Sequence, residues 1–166
     1  MTKLRLEKFQ GETDFPLFAS LVYDEKVMEM NYGRAFTRKE AELFYQGILQ
    51  ANEKDPVLGY YKVYKMAEEG AGPFIGMCGM NLNSDFGGVE IEYMLLPAWW
   101  RQGLGSALAE RLIQAIEVQG IYRKVIGITD PTNTYSRKIL LRHGFSRKTV
   151  YTIDDGSTAE VFERLL

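Results

Sequence analysis

The sequence predicts a mixed α/β (α+β) domain with one central, mostly antiparallel sheet and helices on both of its faces. Three observations predict it. Three strand-like segments follow one another between residues 59 and 96, separated by breaker-rich turns. The hydrophobic period becomes helical after Pro97. Further strand-like segments close the chain behind the last helical stretch.

Taken in order, Leu4–Phe9 alternates as a strand does, with Leu4 and Leu6 on one face. Asp14–Asp24 sets Phe15, Phe18, Leu21 and Val22 at helical spacing. Thr37 is an N-cap by type, and Glu40 three residues later completes a capping box. The helix it opens carries Ala41, Phe44, Tyr45 and Ile48 on one face and is predicted to end near Ala51. Gly59–Met66 is rich in Tyr and Val, Phe74–Leu82 is apolar with glycines, and Gly88–Leu96 alternates and then turns apolar. The turns between them, 69–73 and 83–88, favour an antiparallel meander. Beyond Pro97, residues Leu104, Leu108, Leu112, Ala115 and Ile116 line one helix face, and Gly120 stops it. Lys124–Thr129 follows as a strand and Tyr135–His143 as a helix stopped by Gly144. Phe145–Ile153 and Glu160–Leu165 are the closing strands.

A chain of 166 residues suits a single domain, 1–166, with a substantial core. At 46% hydrophobic and 25% charged residues, the composition is globular rather than disordered. A net charge of -2 argues weakly against nonspecific nucleic-acid binding, which needs basic patches. It suits a cationic substrate without deciding for one. Cys78 is the only cysteine, so no intramolecular disulfide forms, in keeping with a reducing compartment. Met1-Thr2-Lys3-Leu4 runs straight into the first strand without the apolar core of a signal peptide. No run of about 18 apolar residues predicts a membrane span. A cytoplasmic location is therefore expected by default.

The informative segment is Trp99-Trp100-Arg101-Gln102-Gly103-Leu104-Gly105-Ser106, which joins a strand to a long helix. Glycines there permit a tight turn and a close ligand approach to the backbone amides. The first N–H groups of a helix lack internal partners and, with the helix dipole, form an anion site. First helical turns usually hold Asp or Glu, but none occurs here before Glu110. The positive end is thus left free, and Arg101 adds to it. Two glycines making a tight turn and nothing more is the competing reading. A dinucleotide-binding loop fits poorly, because Leu108 stands where a third small residue is needed and the strands before it form a meander.

The segment resembles motif A of the GNAT superfamily of N-acetyltransferases, Arg/Gln-x-x-Gly-x-Gly/Ala at a helix start. Trp100 departs from Arg/Gln, but Pro97-Ala98-Trp99-Trp100-Arg101-Gln102-Gly103 is similar to the Pro-x-x-Trp-x-x-Gly form of the RimJ/RimL-like branch. Asn133-Thr134-Tyr135-Ser136 through Gly144-Phe145 resembles the family's second motif, Asn-x-x-Ser/Ala followed by Gly-Phe. The likeness is specific over Glu90–Phe145 and loose before it, where Leu4-Arg5-Leu6 also looks like the branch's first strand. It implies a GNAT-like domain, acetyl-CoA as co-substrate and a primary amine, either a protein N-terminus or a small molecule, as acceptor. It leaves a homodimer open.

Acetyl transfer from a thioester needs a neutral amine, yet a lysine-like amine titrates near about 10.4. A carboxylate base meets that need, and such bases contribute roughly 10²–10⁴-fold. Glu90 and Glu92 sit two apart on one strand face, where paired carboxylates attract a cation and raise one another's pKa. The resemblance implies Glu90 as base. Glu92 replaces the branch's usual Gly and so matches the pattern less well; solvent-facing charges on a half-exposed strand are the competing reading for both. Backbone amides near Met94, Leu95 and Leu96 are implied as oxyanion donors and as partners of the pantetheine arm, with an irregularity expected before Pro97. Arg101, Gln102, Gly103, Leu104, Gly105 and Ser106 are implied to hold the pyrophosphate. Asn133 and Ser136 are implied at the pantetheine or adenosine side, although Asn133 would serve equally as an N-cap.

The family's usual Tyr acid, seven residues after the Asn, is replaced by Leu140. Ser136 is the implied hydrogen-bonding substitute at the leaving sulfur. The missing Tyr keeps open a CoA-binding module without chemistry, and transfer of another acyl group stays open because pocket size around Met94–Leu96 is not readable from sequence. Cys78 reads as a core thiol and His143 as a helix C-terminal residue. One His and one Cys make no metal-ligand cluster.

Overall fold

The computed structural model describes residues 3–166. Met1 and Thr2, part of the opening stretch considered above, lie outside the described residues. The elements are β1 (Leu4–Lys8), α1 (Phe15–Val22), α2 (Glu25–Glu29), α3 (Arg38–Lys54), β2 (Gly59–Lys65), β3 (Phe74–Asn83), β4 (Gly88–Leu95), α4 (Leu104–Gln119), β5 (Lys124–Thr129), α5 (Thr134–Arg142), β6 (Ser146–Thr152) and β7 (Thr158–Leu165). The strands form one sheet in the order β1-β2-β3-β4-β5-β7-β6. Every pairing is antiparallel except β4–β5. The expected fold class and the meander β2-β3-β4 are both found.

Local sequence explains most of the elements. Thr37 accepts from the Glu40 amide while the Glu40 side chain reaches back to Thr37, so the capping box at α3 is complete. Gly120, at φ 67°, ends α4 in the left-handed conformation that glycine tolerates best. Two details differ from expectation. α3 runs on to Lys54 rather than ending near Ala51. α2 was not expected, because five residues show no readable period; Asp24 nucleates it by accepting from the amides of Lys26 and Val27.

The sheet separates two cores. One holds Val89, Ile91 and Leu95 of β4 packed with Leu104, Leu108 and Leu112 of α4 and Ile139 and Leu140 of α5. The other holds Phe9, Phe18, Met28, Tyr45 and Ile48 from the α1–α3 side, with Met94 of β4 against it. Burying each such side chain contributes roughly 1.5–3 kcal/mol. β4 therefore feeds both layers, and Glu90 and Glu92 share the strand face of Met94, toward α1–α3. No described helix is long and apolar enough to cross a membrane.

Candidate active site

β4 and β5 pair only at Val89–Val125 and Glu90–Ile126 and then part. On its other edge β4 stays paired to β3 without a register shift as far as Gly76–Leu95. The irregularity expected before Pro97 is thus a splay of β4 from β5, while the pairing with β3 stays regular. The Leu96 amide donates to the Ile75 carbonyl at 2.8 Å. Alternation along the strand then turns the Met94 amide toward β3 as well and leaves those of Tyr93 and Leu95 facing the gap. Of the expected amides at Met94, Leu95 and Leu96, only that of Leu95 faces the opening, and Tyr93 joins it. The Trp100 indole N–H donates to the Leu95 carbonyl at 2.7 Å, fastening the following loop to the end of β4.

That loop ends at Gly103, whose φ of 76° makes it a left-handed N-cap for α4. No side chain caps the helix and no acid lies in its first turn. Arg101 is also left-handed, at φ 60°. A non-glycine residue held there costs of order 1–3 kcal/mol, and such strain collects at ligand sites. The start of α4 therefore has neither the side-chain cap nor the acid that usually occupies a helix N-terminus. The Leu104 side chain belongs to the core, the Gln102 amide group turns back to the Ala98 carbonyl, and Ser106 Oγ lies 2.9 Å from His143 Nε2. Gly105 serves packing as well: a Cβ there would lie 3.1 Å from Ile139 Cδ1 and 3.5 Å from Tyr135 Cε1.

A cavity of about 1010 Å³ runs through the opening between β4 and β5. Its walls bring together Glu90, Glu92, Met94, Leu95, Arg101, Gly105, Asn133 and Ser136. Leu96, Gln102, Gly103, Leu104 and Ser106 do not line it. Burial, then the charge and hydrogen bonding of neighbouring Glu90, raise the Glu92 carboxyl well above the ordinary glutamate range. Glu90 Oε1 accepts from the Asn83 side-chain amide at 2.8 Å. Burial raises the hydroxyls of Tyr32 and Tyr60, with Glu92 adding to both, so these aromatics border the carboxylates.

On α5, the Asn133 side chain accepts from the Ser136 amide at 3.1 Å, the N-cap role, while still lining the cavity. Ser136 Oγ lies 3.5 Å from the Tyr93 hydroxyl, which burial pushes up to about 12. Leu140 is buried against Gly127, where a Cβ would come within 2.7 Å of it, so this position serves packing. Sequence reasoning missed Tyr93 and the Trp100 indole. The alternation of β4 does place Tyr93 opposite the glutamates, but the gap it faces exists only in the fold. Cys78 is buried as expected, and that burial raises its thiol pKa.

An open strand edge beside a bare helix N-terminus fits a ligand with an extended amide-bearing arm and a pyrophosphate, which is the chemistry of coenzyme A. The acetyltransferase (GNAT) domain family matches residues 3–146. No curated protein matches the chain in sequence. Among solved structures, it is similar to a GNAT-family acetyltransferase from Bacillus anthracis at 17% identity, with TM-score 0.79 and coverage of 99% of this chain and 98% of that one. It is similar to spermidine N-acetyltransferase from Vibrio cholerae, in complex with CoA and spermine, at 14% identity, TM-score 0.77 and coverage of 98% and 95%. It is also similar to the ribosomal-protein α-N-acetyltransferase RimL, in complex with coenzyme A, at 18% identity, TM-score 0.77 and coverage of 100% and 96%. The chain belongs to the GNAT acetyltransferase family. Its class is thus acetyl-CoA-dependent acyltransferase, with acetyl-CoA as co-substrate.

Proposed function

We propose that this protein moves the acetyl group of acetyl-CoA onto a primary amine, with Glu92 as the general base. The observation that carries the reading is the half-buried Glu92 carboxyl in the wall of the cavity between β4 and β5, beside the uncapped start of α4. A base works best when its pKa lies near the working pH, and burial beside Glu90 moves Glu92 in that direction. The family resemblance favours Glu90. The hydrogen bond from Asn83 holds the Glu90 side chain in place beside Glu92, and its task in this reading is to face the incoming ammonium.

Acetyl-CoA supplies the activated acetyl thioester when bound. The chain's own groups do the rest. The first amides of α4 and Arg101 hold the pyrophosphate. The Tyr93 and Leu95 edge of β4 pairs with the extended arm, and the Leu95 amide is placed to donate to developing negative charge. Glu92 takes the proton of the amine, directly or through water. Ser136, with Tyr93 behind it, offers a hydroxyl to the departing sulfur. The homodimer that the resemblance left open and a cytoplasmic location stay as part of the same proposal.

The test is a steady-state assay of free-thiol release from acetyl-CoA against a panel of amines and short peptides, with acetylated products identified by mass. Acetylation of at least one acceptor is the expected result. Binding of CoA by calorimetry without acetylation of any acceptor would reduce the protein to a CoA-binding module.

A further inference from the structure

The cavity wall carries charge of both signs, with carboxylates in excess. Arg101 and the uncapped start of α4 mark the cofactor end. Glu29, Asp85, Glu90, Glu92 and Asp155 also line it, and Lys26 shares α2 with Glu29. None of these five carboxylates takes part in an ion pair among the described residues. Lys26 and Arg101 are the only Lys or Arg side chains in the cavity wall. One base and one charged neighbour suffice for a single amine, so Asp85 and the second oxygen of Asp155, whose Oδ1 accepts from the Ser157 amide and hydroxyl, are in excess of what acetyl transfer needs.

Their placement gives that excess a use. Asp85 belongs to the turn between β3 and β4, and Asp155 to the turn between β6 and β7. The Phe86 and Tyr151 rings meet at 6.1 Å between centroids and join the β3–β4 turn to the end of β6, and both aspartates line the same cavity. Burial raises the Tyr151 hydroxyl, and Glu90 and Asp85 add to the shift, so all three share one region. Carboxylates beside aromatic faces form a receptor for an ammonium or guanidinium group.

We infer that the acceptor is a primary amine bearing a second cationic group, which Asp85, Asp155, Phe86 and Tyr151 hold at the rim while the reacting amine lies at Glu90 and Glu92. The inference rests on the acetyl-transfer reading of the same cavity. Two sources share this chemistry: a free oligoamine, and the N-terminus of a peptide with an early Lys or Arg.

The experiment compares matched acceptors at fixed acetyl-CoA: butylamine with 1,4-diaminobutane, and a short peptide carrying Lys at its second position with its Ala counterpart. The dication of at least one pair is expected to have the higher kcat/KM by about tenfold, the worth of one or two contacts to exposed carboxylates. The ratio should shrink as salt is added. The double variant Asp85→Asn, Asp155→Asn, checked for folding by its thermal transition, should bring the ratio close to one. The pair that shows the preference identifies the source. Equal kcat/KM within both pairs, or a ratio that survives in the double variant, overturns the inference while acetyl transfer stands. If no acceptor is acetylated, the acetyl-transfer reading fails. Calorimetric titration of the CoA-loaded protein with diaminobutane and butylamine then judges the cation site alone, and equal affinities overturn it.

Discussion

The Asn83 side-chain amide donates to Glu90 Oε1 at 2.8 Å, whereas Glu92, two residues along the same strand face, is raised by burial and by Glu90 itself. A charged neighbour in a half-buried site favours the protonated acid. The fold thus pushes two chemically identical side chains toward different tasks.

Replacing Glu92 with Gln should lower kcat by about 10²–10⁴-fold while leaving CoA affinity nearly intact. The pH profile identifies the group. In the wild type the rate should climb through neutrality as Glu92 loses its proton, whereas an ordinary glutamate near 4.5 would already be ionised and contribute no step there. Deprotonation of the amine adds a rise common to all variants, so the component absent from Glu92→Gln is the signal. Stability follows from the same shift. A carboxyl raised in the folded state contributes stability at low pH that is lost as pH rises through the folded value. Glu92→Gln should therefore exceed the wild type in Tm at alkaline pH and lose that advantage in acid.

Glu90→Gln should act through Glu92. Removing the neighbouring charge lowers the Glu92 pKa, so the rising limb of kcat should move to lower pH. The KM for a cationic amine should increase several-fold, because one of the paired charges is gone. An unmoved pH profile with kcat reduced as far as in Glu92→Gln would make Glu90 the base.

The capping box at Thr37 and Glu40, the change of period after Pro97 and the glycine stops at Gly120 and Gly144 were all legible, because each is a local signal of a few residues. The acid-free first turn of α4 was legible for the same reason, and the structure adds that no side chain caps it. What escaped depends on contacts far apart in sequence. The opening at β4 is set by where β5 stops pairing, so neither the role of Tyr93 nor the loss of Leu96 to Ile75 can be read from residues 93–96 alone. The link between Trp100 and Leu95 spans only five residues, yet it depends on a carbonyl that faces the gap.

Asn52 illustrates the same limit and carries a stability prediction. Its side-chain amide donates to the carbonyls of Phe9 and Tyr60, and its oxygen accepts from the Tyr60 amide, tying α3 to β2 and to the end of β1. Truncation to Ala strands the Phe9 carbonyl and the Tyr60 amide, while the Tyr60 carbonyl keeps the Phe9 amide at 3.3 Å. A part-buried group left unpaired costs about 1–3 kcal/mol, and partial access of water reduces the sum, so a loss of about 3 kcal/mol is expected by chemical denaturation. A change below about 0.5 kcal/mol, the usual range for plain surface substitutions, would show that the three bonds are replaced by water.

Arg137 tests whether the last helix is held in place by charge. Its Nε donates to Glu160 Oε1 at 2.8 Å, and the Glu160 side chain is only 4% exposed on β7. Arg147 approaches the other oxygen no closer than 4.0 Å and is largely exposed, so it is a weak substitute. Arg137→Met leaves a buried carboxylate nearly alone. Breaking buried pairs in this way costs about 3–5 kcal/mol. Arg137 is itself about one-third exposed, which lowers the expectation to about 2 kcal/mol. Adding Glu160→Gln should recover most of that loss, because the cost lies in the stranded charge rather than in the lost attraction. Arg137 directly follows Ser136, and Asn133 caps the same helix, so the single variant should also weaken CoA binding and the double variant restore part of it. Denaturant melts and CoA titrations of the two variants separate the outcomes. Full CoA affinity in a destabilised Arg137→Met would mean that α5 is positioned by Ile139 and Leu140 alone.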